Sequence, residues 1–132
     1  MKEYSIRLQR GADLKKEIEK ICIDNAYNTA IVLCAVGSLS SLNIRLANVT
    51  STLSVDENFE IVSLIGTVSL GKSHLHISVS DEIGNVVGGH LLVGNVVNTT
   101  VELVLGILEE YESNRTLDEK TGYNEIVFRK RV

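Results

Sequence analysis

The sequence predicts an α+β domain: a mostly antiparallel, curved sheet with one early amphipathic helix. Three observations carry the prediction. Only residues 13–25 repeat their apolar side chains with a helical period, while the other apolar segments have strand lengths and are rich in Val, Ile and Leu. Turn-forming Gly and Asn separate two of those segments at the spacing of a hairpin. A parallel βαβ arrangement needs more crossover helices than this chain offers.

Composition sets the frame. The 132 residues, 44% apolar and 23% charged, are expected to fold as a single domain over residues 1–132. A chain of this length buries roughly two-thirds of its unfolded surface, so a metal is not needed to hold it together. With 13 Lys and Arg against 17 Asp and Glu, the net charge of −4 runs against the broad basic footprint that phosphate binding leaves. No stretch reaches the ~18 apolar residues of a membrane span, and residues 1–11 alternate charged with apolar side chains, so a soluble, cytoplasmic protein without a membrane partner is expected. Cys22 and Cys34 lie among aliphatic residues and are expected to be buried, reduced thiols. Proline is absent, which excludes a proline-rich linker and the Arg-Gly-Arg-Pro core of an AT-hook.

Residues 3–10 place Tyr4, Ile6 and Leu8 on one face and Glu3, Ser5, Arg7 and Gln9 on the other, a half-buried strand. Asp13 then stands where an N-cap belongs, and Leu14, Ile18, Ile21 and Cys22 form the apolar stripe of a helix ending near Asn25. Residues 29–36 are apolar on both faces and are expected to break at Gly37. Residues 42–49 and 59–70 read as strands on either side of a polar loop at 54–58, with Gly66 as a bend or bulge. Residues 74–81 and 86–93 form the hairpin. Residues 101–108 are assigned to a strand by their Val and Ile, residues 113–122 to a charged loop, and residues 123–130 to a last strand closing the sheet.

All three histidines lie near that hairpin. In a strand through residues 73–80, Leu75, Ile77 and Val79 face the core, and His74 and His76 share the other face about 7 Å apart at Cα. A five-residue connection over 81–85 pairs Ser80 with Val86, Ser78 with Gly88 and His76 with His90, which brings the third ring to the same face. A shift of one residue sets His90 opposite Leu75 and disperses the group. Three neutral imidazoles suit Zn²⁺ or another divalent transition metal such as Ni²⁺, Cu²⁺ or Fe²⁺, with at least one coordination position left for water, substrate or another ligand. Asp81, Glu82 and Glu102 are candidates to support the imidazoles or accept protons.

Other chemistry is weakly supported. The Gly37–Ser41 stretch has hydroxyls but no GxSxG elbow and no base, and the Gly88–Gly89 pair sits in a strand and opens no phosphate-binding helix. Arg129, Lys130 and Arg131 form a short basic end. With Arg7 and Arg10 they are the candidate nucleic-acid contacts, since an oligomer would cluster several copies.

Several motifs in order carry a family resemblance: AVGSLS (35–40), LNIRL (42–46), FEIVSLIGTVS (59–69), HLHISVSD (74–81), VVGGHLL (86–92), TTVELVL (99–105) and TGY (121–123). Together they resemble the plant-and-prokaryote-conserved (PPC) domain in its stand-alone prokaryotic form. The resemblance implies an α+β, mainly antiparallel fold and a homotrimer. It also implies a DNA-binding or regulatory role, because plant relatives join the domain to AT-hooks. The plant partner-binding segment Gly-Arg-Phe-Glu-Ile reads Glu57-Asn58-Phe59-Glu60-Ile61 here, so its Arg contact does not transfer. Histidines in the HxH and GGH segments are typical of the prokaryotic form, which strengthens His74, His76 and His90 as metal ligands. The chain is therefore expected to be a trimeric binding module with DNA as its traditional partner. The alternative is a metal-dependent enzyme or metal sensor, with catalytic residues unassigned.

Overall fold

A computed structural model describes residues 1–132. In chain order the elements are β1 (Lys2–Gln9), α1 (Leu14–Asp24), β2 (Thr29–Leu39), β3 (Leu42–Arg45), β4 (Thr52–Val55), β5 (Phe59–Ser69), β6 (Lys72–Ser80), β7 (Val86–Leu91), β8 (Val97–Ile107), β9 (Tyr111–Leu117) and β10 (Asn124–Lys130). Eight strands form one sheet in the order β1-β8-β2-β5-β6-β7-β3-β4, while β9 and β10 pair only with each other. Every strand pairing is antiparallel, and one helix accompanies them, so the α+β reading holds.

The helix begins where its N-cap predicts. Asp13 accepts from the Lys16 N–H at 3.0 Å, and its second carboxylate oxygen accepts from the Gly94 N–H at 2.7 Å, tying the helix start to the segment before β8. Leu14, Ile18, Ile21 and Cys22 are buried and join the core cluster that also holds Leu75, Val79, Leu103 and Leu105. On its flank, Glu19 accepts from both the backbone N–H and the hydroxyl of Ser73 at 2.9 and 2.7 Å. That clamp fixes the start of β6 one residue before His74.

Several sequence expectations need correction. Strand β2 runs on through Gly37 to Leu39, because glycine there admits the neighbouring backbone; a Cβ would meet the Thr100 carbonyl oxygen at 2.1 Å. The irregularity in β5 lies between Ile61 and Ser63, and the register passes unbroken through Gly66. Residues 42–49 hold only the short β3. The chain then turns at Asn48, whose side-chain oxygen accepts from Thr50 and Ser51, and returns as β4 through part of the expected loop. Residues 113–122 contribute much of β9 instead of a loop, and β10 pairs with β9 rather than closing the main sheet. Of the two thiols, Cys22 is buried and Cys34 is exposed. The bulge between Val32 and Cys34 interrupts the alternation, and Leu33 and Val36 are exposed as well. No helix is long and apolar enough to cross a membrane.

Candidate metal centre

The connection between β6 and β7 sets the site. Asp81 accepts from Ile83 and Asn85 N–H groups at 3.0 and 2.8 Å, and its own N–H donates to the Asn85 carbonyl at 2.9 Å. This closes the five-residue connection and enforces the register Ser80↔Val86, Ser78↔Gly88 and His76↔His90. Leu75, Ile77 and Val79 consequently point into the core. On the opposite face the rings of His74, His76 and His90 stand with centroids 5.2, 5.4 and 5.7 Å apart. One ligand atom from each ring lies within 4.8 Å of the others.

The surroundings favour the neutral, ligating form of the imidazole. Burial, followed by Arg45 and the other two rings, pushes His90 down to about 4. Burial also lowers His74, with His76 and Arg115 adding to the shift. His90 Nδ1 is buried without a hydrogen-bond partner. In a tetrahedral zinc site with Zn–N near 2.0–2.1 Å the nitrogens stand about 3.3 Å apart, so small ring rotations bring this triad to coordination distance. A nitrogen-only set of three suits zinc and also admits nickel, copper or iron.

These shifts fix the sign of a pH effect. Folding depresses the affinity of His90 for a proton, so the unfolded chain binds more protons between about pH 6.5 and 4, and stability contributed above that range is lost as pH falls through it. Because the ring is only partly buried, the loss for metal-free protein is on the order of 1–2 kcal/mol. Urea unfolding at pH 7 and pH 4.5 measures it. His90→Gln should flatten the difference, and an unchanged slope in that variant contradicts the assignment.

The expected acidic helpers are placed elsewhere. Asp81 is committed to the turn that also contains Glu82, and Glu102 lies on β8 opposite Arg7 and Val36. What the sequence reading missed is a cleft of about 610 Å³ beside His74 and His90. Lys15 and Glu19 of α1, Arg45 of β3 and Lys72 of β6 line it, and the β9–β10 hairpin contributes Arg115 and Glu125. Arg45 is the cross-strand partner of His90. Gly89 allows β3 that close, since a Cβ there would meet the Arg45 carbonyl oxygen at 2.6 Å. The signal for Arg45 was its alternation in residues 42–46, readable only once the partner strand is known; Arg115 had no local signal.

The candidate nucleic-acid residues are distributed over different elements. Arg7 is on β1, and Arg10 follows that strand, donating to the Asn98 carbonyl at 2.8 Å. Arg129 donates to the Asn114 side-chain oxygen at 2.7 Å, and Arg129 and Arg131 both lie 3.8 Å from Glu112. Lys130 ends β10 opposite Tyr111. The serines after Gly37 act structurally: Ser41 donates to the Gly94 carbonyl and Ser38 accepts from the Thr99 N–H.

The model of the Plants and Prokaryotes Conserved (PCC) domain matches residues 1–109. The chain belongs to this family. It is the family that the ordered motifs resemble, and its matched region contains the whole main sheet and all three histidines. The chain is also 40% identical over 126 residues, 96% of its length, to the bifunctional protein GlmU of Synechococcus sp. (strain JA-2-3B'a(2-13)), of which it spans 20%. Among solved PCC-like folds, a hypothetical protein from Salmonella enterica is 34% identical with a TM-score of 0.95, covering 99% of this chain and 95% of its own. A metal-containing protein from Archaeoglobus fulgidus is 27% identical with a TM-score of 0.78, covering 96% and 94%. Two neighbours at 24% and 21% identity carry provisional DNA-binding descriptions, and at that distance the likeness is one of fold.

Proposed function

We propose that this PCC-domain chain is a trimeric binding module in which His74, His76 and His90 hold one divalent transition-metal ion, zinc being the best match. The convergence of three ligand nitrogens within 4.8 Å on one face of a strand pair carries the reading. The metal-containing description of the Archaeoglobus relative supports it. Once bound, such an ion is a Lewis acid with at least one position open to a small ligand.

The outer face of the sheet supports assembly with further copies of the chain. Leu33, Val36, Val62 and Ile65 are 45, 54, 56 and 66% exposed on neighbouring strands β2 and β5, and Ile65 is the cross-strand partner of His76. Apolar side chains gathered there favour cover by another subunit, close to the metal ligands.

Elemental analysis of protein purified without a histidine tag tests the metal. About one zinc per chain is expected, falling to background when all three histidines become alanine. Sub-stoichiometric metal that survives the triple replacement overturns the reading. The DNA-binding alternative draws on the descriptions of two relatives and on Arg7, Arg10, Arg129, Lys130 and Arg131, which a three-fold assembly repeats. Failure of the purified protein to shift duplex DNA at low salt overturns that alternative.

A further inference from the structure

We infer that the cleft beside the histidine triad binds a small organic dianion, a dicarboxylate in its simplest form, gripped by Arg45 and Arg115. The inference rests on the metal reading for one contact, in which a carboxylate of the dianion completes the coordination of the ion.

Three buried side-chain polar atoms lack a hydrogen-bond partner: Arg45 Nε, His90 Nδ1 and Arg115 Nη2. All three belong to residues lining this one cleft. Buried polar atoms without partners are uncommon; His90 Nδ1 is accounted for by the metal, and the two guanidinium donors in the same concavity point to a ligand that supplies acceptors. Neither guanidinium is within ion-pairing distance of a carboxylate.

The charge of the lining specifies that ligand further. Lys15, Arg45, Lys72 and Arg115 face Glu19 and Glu125, leaving two positive charges in excess in a chain whose net charge is −4. Lys15 is paired with Glu19, so the excess resides on Lys72 and the two guanidinium groups, offset only by Glu125. A divalent ion held beside Arg45 adds to this concentration of positive charge, and a dianion relieves it.

Geometry and shape favour carboxylates on an organic body. Arg45 stands across the strand from His90, so one bound group can reach both its guanidinium and an ion on the triad. Arg115 enters from the β9–β10 hairpin, outside the family-matched residues 1–109, with Nη1 donating to the Asn124 carbonyl at 3.4 Å. The planar guanidinium fork matches a carboxylate. Val49 and Tyr123 complete the lining with apolar surface, and a cleft of about 610 Å³ is of small-molecule size.

Titration calorimetry of zinc-loaded protein with succinate, acetate and inorganic phosphate tests the inference. Succinate should bind at least about tenfold more tightly than acetate and more tightly than phosphate. Arg45→Gln and Arg115→Gln should each weaken succinate about tenfold or more, and Arg115→Lys should restore it only in part. Zinc content and thermal melting of both Gln variants should match the wild type, which separates lost grip from lost fold. Zinc-loaded protein that prefers phosphate, does not distinguish succinate from acetate, or keeps its succinate affinity in both Gln variants overturns the dianion assignment alone. Protein that takes up no zinc overturns the metal reading instead.

Discussion

Gly66→Ala should destabilise the domain by about 3 kcal/mol or more and lower its melting temperature by roughly 10 °C. Gly66 pairs with Leu75 in the middle of the β5–β6 ladder. A Cβ there would fall 2.0 Å from the His74 carbonyl oxygen and 2.9 Å from the Leu75 Cα. These are backbone atoms, so no rotamer change clears them, and the two strands must part or shift. Because His74 and His76 both stand on β6, the same displacement should cost metal uptake as well as stability. Gly122→Ala is the control: its added Cβ has nothing within 4 Å, leaving only the strain of a positive φ, on the order of 1 kcal/mol. Equal melting temperatures for the Gly66 variant and the wild type would show that the contact yields without cost.

Ile65→Asp should convert the proposed trimer into monomers. Light scattering on a sizing column should give a mass three times the 14.5 kDa chain for the wild type and a single chain's mass for the variant. Ile65 is two-thirds exposed in the isolated chain, so aspartate there meets no core packing and the monomer should keep its fold by circular dichroism. In an interface the same carboxylate is desolvated in each copy and faces its symmetry mates, which costs several kcal/mol across the assembly. A wild-type mass of one chain refutes the assembly outright. A variant that stays trimeric moves the interface away from the outer face of β5.

Much of this was legible in the sequence because short-range rules govern it. Alternation assigned Leu75, Ile77 and Val79 to the core, and the turn length then determined where His90 lies relative to His76. Asp13 and the stripe through Leu14, Ile18, Ile21 and Cys22 identified the helix without reference to anything distant.

Other features depend on partners remote in the chain. Gly66 read as a bend, yet its role is to admit the β6 backbone, while the actual irregularity near Val62 involves no glycine. The charged residues of β9 concealed a strand because that hairpin pairs outside the main sheet and buries only the polar Ser113, leaving no apolar alternation to read. Linear clustering drew attention to Arg129, Lys130 and Arg131, whereas the cations that converge on one cleft, Lys15, Arg45, Lys72 and Arg115, come from four separate elements. Cys34 read as buried because its neighbours are aliphatic, but the bulge beside it turns part of that segment outward.

The strand order also governs how the domain assembles from the unfolded chain. β5, β6 and β7 are consecutive in both sequence and space, so their pairing closes only short loops, whereas β1 must find β8, with Lys2 meeting Ile107. Loop-closure entropy makes the meander the natural early nucleus and the β1–β8 seam a late event. The imidazole cluster therefore stands on the part of the polypeptide with the shortest loops to close, so its three rings can gather before β1 and β8 have met.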